Sequence, residues 1–384
     1  MTTLKRIKFG HIAAEEEAAN LQEYFLETPE YQSIINDTNK ILVVGRKGSG
    51  KSAIDVALKN RYLKQSEAQV EAITFKDYPW ALHNKIKDES GSAERAYLNT
   101  WKYLILITLG KHLVRFNEPQ KYRIIDSLWW KKLLNANLRL LDRFLRLNYG
   151  SIAPSFADVL IDRARNIRKL NVSAFSTEAP QDNDDFLKLV KSINIVCKEL
   201  ETVVLSLLPR RRPEFFVLFD ELDLGWDDSE DFKHSIIGLI LAARDLVRSA
   251  RAKSISLHIV IFLRSDIYEA LRFQDKNKIS PDVVALVWDD NKLKELVDAR
   301  LKATGNASWD DAFTNDHMRH RVTKFKYIVR RTMLRPRDMI QYCLMVHEEA
   351  LKAEGASITN DHIYAVEPRY SVYMRNELRD ENFV

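Results

Sequence analysis

Residues Ile41–Ser52 read ILVVGRKGSGKS, and the fold follows from how this stretch is read. Ile41–Val44 is an unbroken apolar run with the length and composition of a short buried strand. The sequence then runs Gly45-x-x-x-x-Gly50-Lys51-Ser52, with a further glycine at Gly48. Glycines let the backbone turn tightly and aim several N–H groups at one point. Ala53, Val56, Ala57, Leu58, Tyr62 and Leu63 recur at helical spacing, so a helix begins near Lys51 with its anion-favouring end at the turn. In this pattern the loop Gly45, Arg46, Lys47, Gly48, Ser49, Gly50 and the first helical residues to Ala53 cradle phosphates. Lys51 reaches the β- and γ-phosphates, and Ser52 offers a hydroxyl to Mg²⁺. A glycine-rich strand-to-helix turn with no ligand is the competing reading.

Outward from this loop, other short apolar runs alternate with helical patterns. Gln69–Phe75 (QVEAITF) and Ile255–Leu263 read as strands, and Pro213–Asp223 (PEFFVLFDELD) reads as a strand ending in acids. Strands alternating with helices predict a parallel sheet whose ligands bind at the strands' carboxyl ends. The phosphate loop, Asp220-Glu221 and Arg264 all fall at such ends. An Asp at that position holds Mg²⁺ with hard oxygens, and Glu221 is placed to activate a water. The alternative for these acids is a strand that ends in solvated carboxylates. Arg264 either senses the γ-phosphate or pairs with Asp266 or Asp220. Asp223 is a weaker candidate, as a supporting group or a helix cap. The acids Asp227, Asp228, Glu230 and Asp231 read as a solvated helix start.

The expected organisation is an N-terminal helical lead over 1–40, an α/β core over 41–270 and an all-helical C-terminal lid over 271–384. Within the lead, residues 12–26 (IAAEEEAANLQEYFL) read as an acidic amphipathic helix. A helical insertion occupies about 80–206, carrying stripes over Ser127–Leu147 and Phe186–Leu208 on either side of a polar loop at Ser173–Asp185. From Ile267 onward the chain reads as helices. In LRPRDMIQYCLMV, Pro336 suits a first helical turn, so Arg335 or Arg337 could swing onto phosphates; a basic surface patch is the alternative.

The 384 residues are 46% apolar and 29% charged with net charge +5, an ordinary globular balance that does not by itself call for nucleic acid. Cys197 and Cys343 sit in apolar helical contexts and read as buried thiols in a reducing cytosol. No signal core or membrane-length apolar run occurs, so a cytoplasmic protein without a membrane partner is expected. Zinc spacing, a guanine-specific Asn-Lys-x-Asp and a G-x-S-x-G elbow are all missing. Lys111–Leu170 holds 13 Lys/Arg against 5 Asp/Glu, with Trp129, Trp130, Phe144 and Tyr149 interleaved. That segment reads as a solvated helical insertion with core tryptophans, as a docking face for a protein, or as a nucleic-acid surface.

These residues resemble the ASCE class of P-loop ATPases, in which a catalytic glutamate follows the Mg²⁺-binding Asp. Within that class the chain looks like the soluble, stand-alone branch of bacterial STAND and KAP-like ATPases found near defence and DNA-repair genes. FGHIAAEEE (Phe9–Glu17), VGRKGSGKSAI (Val44–Ile54), VLFDELDLGW (Val217–Trp226), FLRSDI (Phe262–Ile267), VWDDNKLKELVDARL (Val287–Leu301) and RPRDMIQYC (Arg335–Cys343) carry the resemblance. It implies ATP and Mg²⁺ as ligands, Lys51 and Ser52 on phosphate and metal, Asp220 on Mg²⁺, Glu221 as water activator, Arg264 as sensor, and Arg335 or Arg337 as the basic residue of the lid. It further implies a hydrolytic switch working as an oligomer or with a separately encoded effector, with anti-phage defence as the leading setting. A DNA-stimulated ATPase and an ATP-held assembly scaffold with little turnover are the rival functions. The transmembrane insertions common in KAP-type members and the repeats of STAND members are not seen in the sequence.

Overall fold

Five strands form one all-parallel sheet: β1 (Leu42–Gly45), β2 (Ala68–Thr74), β3 (Glu214–Asp220), β4 (Leu257–Arg264) and β5 (Val283–Ala285). The spatial order is β2-β3-β4-β1-β5, so β4 lies between the strand feeding the glycine-rich loop and the strand ending in Asp220. The computed structural model describes residues 3–63, 68–75, 78–84, 87, 92–117, 129–149, 159, 185–209, 214–274 and 276–382.

Both faces of the sheet are covered, as a parallel sheet requires. The period-2 alternation of strand side chains decides which residue faces which layer. Leu42, Val44, Phe215, Val217, Phe219, Ile259 and Ile261 point into a large core with the helices Leu98–Asn117, Trp129–Tyr149, Asp185–Leu207 and Glu230–Ala252. Val43, Phe216, Leu218, Val260 and Phe262 point the other way, onto Tyr31 and Ile34 of the Pro29–Asn36 helix and onto Ile54, Ala57 and Leu58 of the Lys51–Leu63 helix.

The insertion between β2 and β3 supplies three of the long helices on the first face. Leu138, Leu141, Phe144 and Leu145 of its second helix are buried, as are Ile193, Val196, Leu200 and Val203 of its third. Phe144 is therefore a core residue. The Tyr149 hydroxyl lies 2.5 Å from that of Tyr103, and its ring packs on the same core. Phe144, fully buried, is not available for stacking a base. The side chains of Trp129 and Trp130, the loop at Ser173–Asp185 and most of residues 150–170 lie outside the described residues.

A second core is built by the C-terminal helices, chiefly Asp290–Gly305, Pro336–Lys352 and Asn360–Asn382. Leu4, Ile7 and Phe9 are buried within it, so the start of the chain co-folds with its end. The Phe9 ring meets Phe313 and His347 edge-on, and His347 Nε2 lies 2.8 Å from the Leu4 carbonyl.

Two sequence expectations need correction. Residues 12–20 form turns, and only Leu21–Tyr24 is helical where a helix over 12–26 was expected. Glu17 spends its carboxylate on Arg300 and on the His11 N–H, a tertiary pairing that overrides local helix propensity. The chain beyond Ile267 is also not purely helical. Val283–Ala285 adds β5 to the sheet beside β1, because Val284 is half of a strand pair that buries against the second face. Cys197 and Cys343 are buried free thiols, and among the described residues no helix is long and apolar enough to cross a membrane.

Candidate functional site

The carboxyl ends of β1, β3 and β4 open into a cavity of about 340 Å³. Residues 47–54 of the glycine-rich loop and the helix after it, Asp220, Glu221, Asp223 and Arg264 line one part of it. The N-terminal segment, residues 286–288 and the start of the Pro336–Lys352 helix line the rest. Sequence motifs 169 residues apart, at Lys51 and Asp220, thus share one site.

The loop takes its shape from its glycines. Gly48 and Gly50 sit at φ +78° and +96°, a region that other residues adopt only with strain. Lys51 Nζ donates to the carbonyls of Gly45 at 2.8 Å and Arg46 at 3.1 Å, so the ammonium lies inside the turn. Burial pulls this ammonium down to about 8, against the opposing pull of the Asp223 and Asp220 carboxylates. The Ser52 hydroxyl donates to Asp220 Oδ2 at 3.1 Å, bridging the start of the helix and the end of β3. Burial pushes the Asp220 carboxyl above its usual range. The Glu221 N–H, the Ser52 hydroxyl and Lys51 oppose that shift.

Glu221 is the residue where the backbone leaves β3. It holds φ 61° and ψ 27°, a left-handed conformation that costs a non-glycine residue about 1 kcal/mol, and its N–H donates to Asp220 Oδ1 at 2.9 Å. The next residues turn at once into a short 3₁₀ segment, Leu222–Gly225. This sharp exit puts Glu221 on the cavity wall beside Asp220.

Arg264 ends β4 and is 6% exposed. It donates to both oxygens of Asp266, from Nε at 3.1 Å and from Nη2 at 2.5 Å, and Nη1 lies 3.9 Å from Asp223. Of its two expected acidic partners, Asp266 is the one it meets, and Arg264 still lines the cavity.

The two C-terminal arginines part ways. Arg335 is 2% exposed and locked in a two-pronged pair with Glu381, at 2.5 and 2.9 Å, with Asp338 at 3.8 Å. It is not among the residues lining the cavity, and the buried Asp338 and the partly buried Glu381, on two helices, hold it. Arg337 does line the cavity. Its N–H donates to the Gly48 carbonyl at 3.3 Å, and its guanidinium lies 3.8 Å from Glu377. Arg46 and Lys47 reach the same C-terminal helix, Arg46 to Glu381 at 3.8 Å and Lys47 to Glu377 at 3.4 Å.

Several site residues escaped sequence reasoning. Trp288 donates from Nε1 to the Ser49 carbonyl at 2.9 Å, tying the segment after β5 to the phosphate loop. Glu377 and Glu381 lie in a polar helix with no motif. Glu17 and Arg300 belong to stretches noted for resemblance, but no spacing rule pairs residues so far apart.

The donor chemistry suits Mg²⁺. Among the described residues no group of three or more His, Cys, Asp or Glu is arranged to cage a metal. A single carboxylate and a hydroxyl 3.1 Å apart at a phosphate loop are what Mg²⁺ uses when phosphates and waters complete its shell.

Comparison with known proteins bears on the C-terminal helices and on nearly the whole chain separately. Residues 291–379 match the FunZ-associated C-terminal helical domain, which begins at the second residue of the Asp290–Gly305 helix and runs into the last helix. Over 372 residues the chain is 24% identical to the transposon gamma-delta 80.3 kDa protein of Escherichia coli (strain K12). That alignment takes in 93% of this chain and 49% of the relative, so the chain spans about half the length of the curated relative it matches. The match is that of a distant homologue.

Proposed function

We propose that this chain binds ATP with Mg²⁺ and hydrolyses it, and that the C-terminal helical region responds to the nucleotide as the moving part of a switch. One observation carries the reading: Ser52 and Asp220 lie 3.1 Å apart in a cavity that also gathers Lys51, Glu221 and Arg264. On this reading the loop N–H groups and Lys51 bind the phosphates, and Ser52 and Asp220 hold Mg²⁺. The metal supplies charge neutralisation of the phosphate oxygens. Glu221 orients and deprotonates the attacking water. Arg337 is the cation of the helical wall that reaches the nucleotide, in place of Arg335. Oligomerisation or a separately encoded partner belongs to the same proposal, as does a role in bacterial defence. The test is titration of Lys51→Ala with ATP and Mg²⁺. A loss of affinity of about 100-fold or more is expected, and unchanged binding contradicts the proposal.

A second reading is favoured by the relative's name, which ties that protein to a transposon. Here the same ATPase acts on DNA, through the basic stretch Lys111–Leu170. It predicts phosphate release that rises with added duplex DNA and loses that rise steeply with salt. Turnover indifferent to both would leave the switch reading alone.

A further inference from the structure

FGHIAAEEE and the helix that carries Arg300 have no part in the phosphate or metal chemistry above, yet the fold brings them together beside the cavity. Glu17 and Arg300 are 8% and 5% exposed. Arg300 Nη1 lies 3.0 and 3.2 Å from the two Glu17 oxygens and donates to the Phe9 carbonyl at 2.8 Å. The same carboxylate accepts from the His11 N–H. The guanidinium carbon sits 4.6 Å over the Tyr24 ring. Gly10, at φ +79°, fits between them. A Cβ there would come within 2.0 Å of Glu17 Oε1 and 2.1 Å of Arg300 Nη1, so a side chain at position 10 would force the pair apart. The pair and the glycine together fix the backbone of residues 9–11 in one turn.

This fixed turn borders the cavity. His11, Ile12 and Arg300 all line it, and Arg300 Nε is buried with no hydrogen-bond partner among the described residues. The groups suited to phosphate come from the loop, the strand ends and Arg337 at the start of the Pro336–Lys352 helix. The lining that remains, including Ile12 and Tyr24, is largely apolar, as a planar base requires. A buried ion pair is weak as a source of stability, and its better-attested use is to fix one arrangement.

We propose that Glu17 and Arg300 are a positioning pair that holds residues 9–12 as the wall on which the nucleobase packs, so that affinity depends on the base as well as on the phosphates. The inference rests on the nucleotide reading above, and it gives the two unassigned motifs a common task.

The test compares ATP with inorganic tripolyphosphate, each with Mg²⁺, by calorimetric titration. The wild-type chain is expected to bind ATP at least about tenfold more tightly than tripolyphosphate. The double variant Glu17→Met/Arg300→Met replaces a buried pair with apolar side chains of similar size, a change that folds well in general. It should bind tripolyphosphate within about twofold of wild type and lose most of the preference for ATP. A preference unchanged in the double variant overturns the proposal. Arg300→Lys keeps a cation but not the planar fork, and should narrow the preference by about threefold; an unchanged preference there also counts against the pair. A wild-type chain that binds both ligands equally overturns this inference and leaves the phosphate-loop reading standing. A chain that binds neither removes both.

Discussion

On the strand-end wall of the cavity, Lys51, Ser52 and Asp220 are placed by backbone: a glycine turn, a helix start and the last residue of a strand. On the helical wall Arg300 and Arg337, and behind it Arg335, are placed by carboxylates from elsewhere in the chain, Glu17, Glu377 and Glu381. The difference matters because backbone geometry survives side-chain substitution, whereas an ion-paired wall moves when one partner goes. The strand-end wall should therefore behave as fixed chemistry and the helical wall as an adjustable cover. The cavity lies where the two meet, tied by the Trp288–Ser49 and Arg337–Gly48 hydrogen bonds.

The largest expected effect separates the two arginines at the start of the Pro336–Lys352 helix. Arg335→Ala removes the guanidinium beside the buried Asp338 and the closer of the two cations on Glu381, and should cost about 3 kcal/mol in chemical denaturation. Arg337→Ala should leave stability within about 0.5 kcal/mol and instead weaken ATP binding by about tenfold. The reverse assignment of effects would undo the distinction between a structural and a ligand-facing arginine.

A smaller effect depends on pH. Burial raises the Asp338 carboxyl from its ordinary range to about 6, with Arg335 opposing the shift. The folded state then holds this proton more tightly than the unfolded one. Its favourable contribution is complete below about pH 4 and is lost as pH rises to about 6, beyond which the buried charge is a full cost. Asp338→Asn should accordingly stabilise the protein by about 2 kcal/mol at pH 7.5, with the gain shrinking toward pH 4. Thermal melts of both proteins across that window check it, and a gain independent of pH would count against it. The smallest effect tests the tie between the walls. Trp288→Phe removes the donor to Ser49 and should cost about 1 kcal/mol of stability, with ATP affinity falling about threefold.

The same contrast explains what was legible in the sequence. β1, β3 and β4 stand out because each is an apolar run ended by a residue with distinct chemistry, and the phosphate loop because its glycines and lysine have a fixed spacing. β5 was hidden: its three residues VVA are too few to show a period. Residues 12–20 misled because helix-forming composition is local information, while the Glu17–Arg300 pair that breaks the helix joins residues 283 positions apart. Arg335 and Arg337 could not be separated by spacing, since their fates depend on Glu377 and Glu381 in a helix with no signature. Phe144 and Tyr149 belonged to an apolar stripe as readily as to a base-stacking surface, and packing on the sheet decides between the two.

The proposal that the strand-end wall hydrolyses ATP stands or falls with Glu221. The most direct measurement is single-turnover phosphate release from Mg²⁺-ATP by the wild-type chain and by Glu221→Gln, with ATP binding titrated in parallel. The glutamine variant should bind ATP within about threefold of wild type and release phosphate about 10²–10⁴-fold more slowly. Release at the wild-type rate would remove Glu221 from the chemistry and contradict the account.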